Sequence, residues 1–251
     1  MRRLITGLLL LPLALPAPAA AEGFTAAQRA EIVGILRHAL REDPSILREA
    51  LAGLQEAEQR ARAESRRAAV ARHGEALFRD PADPVRGNPR GDVTIVEFFD
   101  ARCGFCKQLH PAMEALLRRD PNVRVVMKDL PILGPNSVLA ARALLAAQRQ
   151  GRYPQLHDAL LTLRAEPTEA VLRQQAERVG LDWTRLRRDM EDPAIARRIE
   201  ANLRLAQALG VEGTPALVIG GTARPTDATL VPGAVDLAQL ERMVAEARAA
   251  R

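Results

Sequence analysis

The chain has two cysteines, three positions apart, in Cys103-Gly104-Phe105-Cys106. Two thiols at this spacing can close and open a disulfide within one helical turn, with little backbone movement. The chemistry that follows is thiol–disulfide exchange. One sulfur attacks a disulfide in another molecule, a mixed disulfide forms, and a second thiol resolves it. Other uses of the pair are weaker. Zinc calls for about four nitrogen or sulfur ligands, and His110 is the one histidine nearby. A covalently attached haem needs histidine directly after the second cysteine, where Lys107 stands. A purely structural disulfide across so short a loop restrains the unfolded chain very little. No metal and no cofactor is expected.

The elements that must hold these thiols are legible on either side. Val93 to Phe99 is apolar, β-branched and aromatic, which predicts a buried strand. A short turn follows, then a helical stretch from Lys107 to about Arg119. The cysteines therefore stand where a strand hands over to a helix. The first turn of a helix carries unpaired N–H groups and the positive end of the dipole, which stabilise a thiolate. This makes Cys103 the expected nucleophile and Cys106 the resolving thiol. Val123 to Lys128 reads as a second strand, completing a parallel strand–helix–strand unit. Residues 137–210 are helical in pattern, with Ser137 and Thr168 as caps and Gly151, Gly180 and Gly210 as helix ends. Ala216 to Ile219 predicts another strand, Thr229 to Val231 a partner for it, and Asp236 to about Arg248 a closing helix.

Two more features bear on the chemistry. Glu97 lies inside the buried strand, six residues before Cys103. A lone buried carboxylate is costly, so either Lys128, function or an exposed strand end must account for it. Pro215, after Gly213-Thr214, directly precedes a strand. Proline alone adopts a cis bond cheaply, and it leaves a strand edge free; an ordinary trans proline is the alternative.

The N-terminus sets the context. Met1-Arg2-Arg3, an apolar run from Leu4 to about Leu15, and Ala19-Ala20-Ala21 predict a signal peptide over residues 1–21, cleaved after Ala21. Export would place the thiols in an oxidising compartment. The apolar run is too short and too rich in proline for a spanning helix, an uncleaved anchor being the alternative, and no second long apolar segment exists. The net charge of +5, or +3 without Arg2 and Arg3, is spread among interleaved acids and bases with few aromatics, which argues against a nucleic-acid surface. Residues 22–78 predict two helices, one from Phe24 to Arg41 and one from Ser45 to about Phe78, with Asp43 and Pro44 at the start of the second. Their large apolar residues gather between Ile32 and Leu54, which suggests an oligomerisation stalk; a helix laid back on the catalytic domain is the alternative. Residues 79–91, rich in Pro, Gly and Asn, read as a linker or a short edge piece.

Strand, C-x-x-C helix, strand, helical block, then Gly213-Thr214-Pro215 before a strand: this order resembles the DsbA-like branch of the thioredoxin fold, over about Val85 to Ala249. The fold class expected is α/β, a DsbA-like thioredoxin fold over residues 92–251 with an inserted helical subdomain, preceded by an α-helical N-terminal extension. The resemblance implies that Pro215 is cis and faces the cysteines. It also implies that Glu97 pairs with Lys128 behind them and helps to move the Cys106 proton. The extension resembles the ScsC-type proteins, suppressors of copper sensitivity, which join such a domain to an oligomerising stalk. One departure stands out: Gly104-Phe105 replaces the Pro-His of the strongly oxidising members. Cys103 thereby loses a charged stabiliser of its thiolate, which implies a weaker oxidant.

The expected function is a periplasmic thiol–disulfide isomerase or reductase. Its expected partners are unfolded or misoxidised exported proteins, a membrane redox partner of the DsbD/ScsB type and further copies of itself, as dimer or trimer, with no nucleic acid. Gly104, Phe105, Thr214 and Pro215 would line the substrate groove. A dithiol oxidase of DsbA type is the first rival. A copper-binding or holdase protein is the second, since thiolates suit Cu(I), although no Met-rich or His-rich tract extends such a site.

Overall fold

The structure, a computed structural model, describes residues 23–250. The expected signal peptide lies outside the described residues. The described residues divide into two compact units, with the boundary between Glu58 and Gln59.

In the first unit, α1 (Ala26–Glu42) starts at a capping box, Thr25 with Gln28, and has no buried residue. Two backbone donors at its N-terminus are thereby satisfied. Asp43 ends α1 and accepts a hydrogen bond from the Ser45 N–H at 2.9 Å, opening α2 (Ser45–Arg72). Ile32, Ile35, Leu36, Leu40, Ile46, Leu47, Leu51 and Leu54 are all exposed.

The second unit begins inside α2. The expected single helix to Phe78 breaks at His73, and α3 (Gly74–Phe78) follows. Gly74 opens α3 against Pro225, where a Cβ would make a tight 3.3 Å contact. Val70, Leu77 and Phe78 are fully buried with Val96, Phe98, Val126 and Val218. The boundary therefore falls at residue 58, not 78, because the last part of the expected stalk supplies core to the catalytic unit. The expected linker is likewise ordered as an edge piece: it holds β1 (Val85–Gly87), which pairs antiparallel with β3 (Val123–Asp129).

The sheet runs β1-β3-β2-β4-β5, with β2 (Val93–Phe99) at its centre, β4 (Ala216–Gly221) beside it and β5 (Thr229–Pro232) at the edge. β2 and β3 are parallel and joined through α4 (Gly104–Arg119); the other pairings are antiparallel. Every residue of β2 is buried, as a strand covered on both faces requires. Val93, Ile95 and Phe99 enter the core that contains both cysteines, and Val96 and Phe98 enter the other core.

The helical block comprises α5 (Pro135–Gln148), α6 (Tyr153–Leu161), α7 (Glu169–Arg178), α8 (Trp183–Met190) and α9 (Pro193–Ala208). Thr168 caps α7 as expected. Ser137 does not cap α5: Gly134 holds that position, and the Ser137 hydroxyl turns to Asp100 instead. Gly180 and Gly210 sit just past helix ends with φ of 77° and 67°, the left-handed conformation glycine adopts without penalty. The chain closes on α10 (Leu237–Ala249), packed on α4 and β4.

Candidate active site

The central strand ends at Phe99, and the next residue shapes the turn that presents the thiols. Asp100 is buried. Its backbone carbonyl accepts the Cys103 N–H at 2.9 Å. One carboxylate oxygen accepts from the Arg102 N–H at 2.8 Å and the Ser137 hydroxyl at 2.9 Å. The other accepts from the Ile132 and Leu133 N–H groups, at 2.9 and 3.1 Å. Arg102 then reaches outward, with two hydrogen bonds to Glu166 and one to the Leu133 carbonyl. The turn is thus tied to the loop after β3 and to the helical block. Sequence reasoning missed Asp100, Arg102 and Glu166. The available signal was an acidic residue at the end of a buried apolar strand, immediately before the cysteines.

Cys103 is the N-cap of α4 and Cys106 lies in its first turn. Cys103 is 7% exposed, whereas Cys106 is fully buried. The Cys103 Sγ donates to the Thr214 carbonyl at 3.2 Å, and the Thr214–Pro215 peptide bond is cis. The chain thus brings Cys103, Thr214 and Pro215 together across 111 residues. Phe105 stands 62% exposed beside them, and a Cβ added at Gly104 would meet nothing within 4 Å. Burial pushes the Cys106 thiol far up, and the nearby negative charges of Cys103 and Glu97 push the same way.

Glu97 and Lys128 do not pair as expected. In the β2–β3 register Glu97 lies beside Met127, and Lys128 lies beside Phe98. Successive side chains of a strand point to opposite faces. Glu97 therefore shares the cysteine face with Met127, and Lys128 shares the other face with Phe98. Lys128 Nζ donates to Asp83 Oδ2 at 2.5 Å and to the Ala76 carbonyl at 2.8 Å. Burial lowers the Lys128 ammonium and raises the Asp83 carboxyl, with each partner opposing the other's shift. Burial raises Glu97 to about 7, opposed by the positive charge of Arg86. A carboxyl poised near neutrality, close to a buried thiol, has the protonation range of a general acid–base group.

The comparisons with known proteins agree with this geometry. A model of the DsbA-like thioredoxin domain matches residues 94–245. A thioredoxin-like oxidoreductase from Silicibacter pomeroyi is 44% identical, over 70% of this chain and 98% of its own, with a TM-score of 0.66. A linker-deletion mutant of Proteus mirabilis ScsC is 29% identical over 92% of this chain and 100% of its own, with a TM-score of 0.68. That share is too large for residues 59–251 alone, so the likeness reaches into the N-terminal unit. A Na(+)/H(+) antiporter, NhaA 3 of Salinispora tropica, is 37% identical over 147 residues, and the match spans only 22% of that protein's length.

Proposed function

Because the chain belongs to the DsbA-like thioredoxin family, its chemistry is thiol–disulfide exchange, and we propose that it acts as an isomerase or reductase of disulfides in exported proteins. The observation that carries this reading is the unequal placement of the two thiols, one 7% exposed at a helix N-terminus and one wholly inaccessible in the first turn of the same helix. Cys103 attacks a substrate disulfide, and the displaced substrate sulfur leaves as a thiolate. The mixed disulfide is resolved by a substrate thiol, which gives isomerisation, or by Cys106, which gives net reduction. Glu97 accepts the Cys106 proton. Phe105, Thr214 and Pro215 line the groove that receives the substrate chain.

Isomerisation is favoured over oxidation on two grounds. Gly104-Phe105 offers the Cys103 thiolate no charged neighbour. The first unit carries large apolar side chains that are exposed among the described residues. Burying each fully is worth roughly 1.5–3 kcal/mol, enough in sum for two or three copies to associate. Several grooves in one assembly would hold an unfolded substrate through repeated exchanges. The signal-like N-terminus supports a periplasmic location, with a membrane partner of the DsbD/ScsB type returning the pair to dithiols. Refolding of a scrambled-disulfide substrate, run beside oxidation of a reduced one, is the test. Rearrangement should be the faster; oxidation outpacing it, with a reduction potential near those of the strongest oxidants, overturns the isomerase reading.

A further inference from the structure

Three side chains able to bind metal meet where α4 packs on α6, one helical turn beyond Cys106. They are His110 of α4 and His157 and Asp158 of α6. One donor atom from each lies within 4.8 Å of the other two. His110 Nε2 is 3.7 Å and His157 Nδ1 is 3.6 Å from Asp158 Oδ1. Tetrahedral zinc, with ligands at about 2.0–2.2 Å, sets its donor atoms roughly 3.3–3.5 Å apart. Only the two imidazoles need to draw closer.

A second observation points to a ligand. His157 is 1% exposed, and neither of its ring nitrogens has a hydrogen-bond partner. The 3.6 Å to Asp158 is too long to be one. A buried polar group without a partner asks for an explanation, and a bound ion is one that two nearby donor groups would complete. The ring is also held in place: Phe99 meets it edge-on at 4.9 Å, Tyr153 stacks at 5.9 Å and His110 meets it at 5.5 Å.

The charges around the cluster admit a cation. Arg86 Nη2 donates to Glu114 Oε1 at 2.5 Å and to Asp158 Oδ1 at 2.6 Å. One guanidinium between two carboxylates leaves one negative charge. Arg86 then acts as an outer partner that orients a ligating carboxylate. The Asp158 side chain is 44% exposed, which gives an ion its way in.

We propose that His110, His157 and Asp158 bind one borderline divalent transition ion of the zinc type, with the fourth position left to water. Two imidazoles and a carboxylate suit this class. The ion would clamp the cysteine-bearing helix to the helical block, and this does not depend on the isomerase reading.

The test uses the full mature protein with Cys103 and Cys106 closed as a disulfide, so that thiolates cannot contribute. Zn2+ should bind at one ion per chain by calorimetry and raise the thermal midpoint. Co2+ should give weak visible bands without thiolate charge transfer. His157→Gln removes a buried ligand, and Asp158→Asn a half-exposed one while Glu114 still pairs Arg86. Near-UV circular dichroism checks that each is folded. A loss of Zn2+ affinity of at least fivefold in either folded variant supports the site. No stoichiometric binding by the oxidised wild type, or a smaller loss in both variants, overturns it.

Discussion

Cys103 and Cys106 differ in their surroundings, and that difference divides their roles. Cys103 borders the surface and touches Thr214, while Cys106 is fully buried. Cys106→Ser should therefore accumulate mixed disulfides with substrates, and Cys103→Ser almost none, on non-reducing gels. Equal trapping by the two would count against the division. Glu97 gives a prediction of pH dependence. Its carboxyl rises from 4.5 in the unfolded chain to about 7 when folded. A raised value means that its contribution to stability is complete below pH 4.5 and is lost as pH climbs through 7. A shift of this size is worth about 3 kcal/mol. Glu97→Gln does not titrate, so relative to wild type it should gain about 3 kcal/mol between pH 4.5 and pH 8 in denaturant unfolding. The same variant should slow exchange at pH 7 by roughly tenfold or more, since it cannot take the Cys106 proton. An unchanged stability difference at the two pH values would remove Glu97 from this role.

At the scale of elements, the alternation of β3 separates two charged systems. Lys128 and Asp83 join the segment before β1 to the sheet on the face opposite the thiols. Both side chains are nearly inaccessible. Removing one partner of a buried pair leaves the other charge uncompensated, at a cost of about 3–5 kcal/mol. Lys128→Ala should lose stability on this scale in urea titrations while leaving the alkylation rate of Cys106 unchanged. A large change in that rate, with the fold intact, would restore the lysine to the active site. Asp100 works in the other direction: one side chain holds the cysteine turn, the loop after β3 and the start of α5 in a single network.

At the scale of the whole molecule, the division at residue 58 decides where the chain can be cut. Removing residues 22–58 should give a folded monomer, because the second unit keeps its own two cores. That monomer should exchange a small disulfide at the full-length rate, a property of Cys103 and Cys106. Its isomerase activity should fall sharply, since a lone domain releases the substrate before a second exchange. Removing residues 22–78 should instead unfold the second core, which loses Val70, Leu77 and Phe78. Light scattering with a refolding assay distinguishes the cases. A full-length monomer with intact isomerase activity would remove the assembly from the mechanism.

What the sequence determined is what local pattern carries. The C-x-x-C at a strand–helix junction, the run of apolar residues in β2 and the glycines that end helices each declare themselves within one element. So does the order of strands and helices that marks the DsbA-like domain. Partners were a different matter. Glu97 and Lys128 stand in adjacent strands, yet a one-step difference in register puts them on opposite faces. Lys128 finds Asp83, 45 residues earlier, in a segment that reads as a linker. Arg86 finds Glu114 and Asp158 across 28 and 72 residues. His110 and His157 meet only because α6 is laid on α4. Periodicity reports which face of an element is buried, and says nothing of which distant element covers it; that choice belongs to the packing of the whole chain.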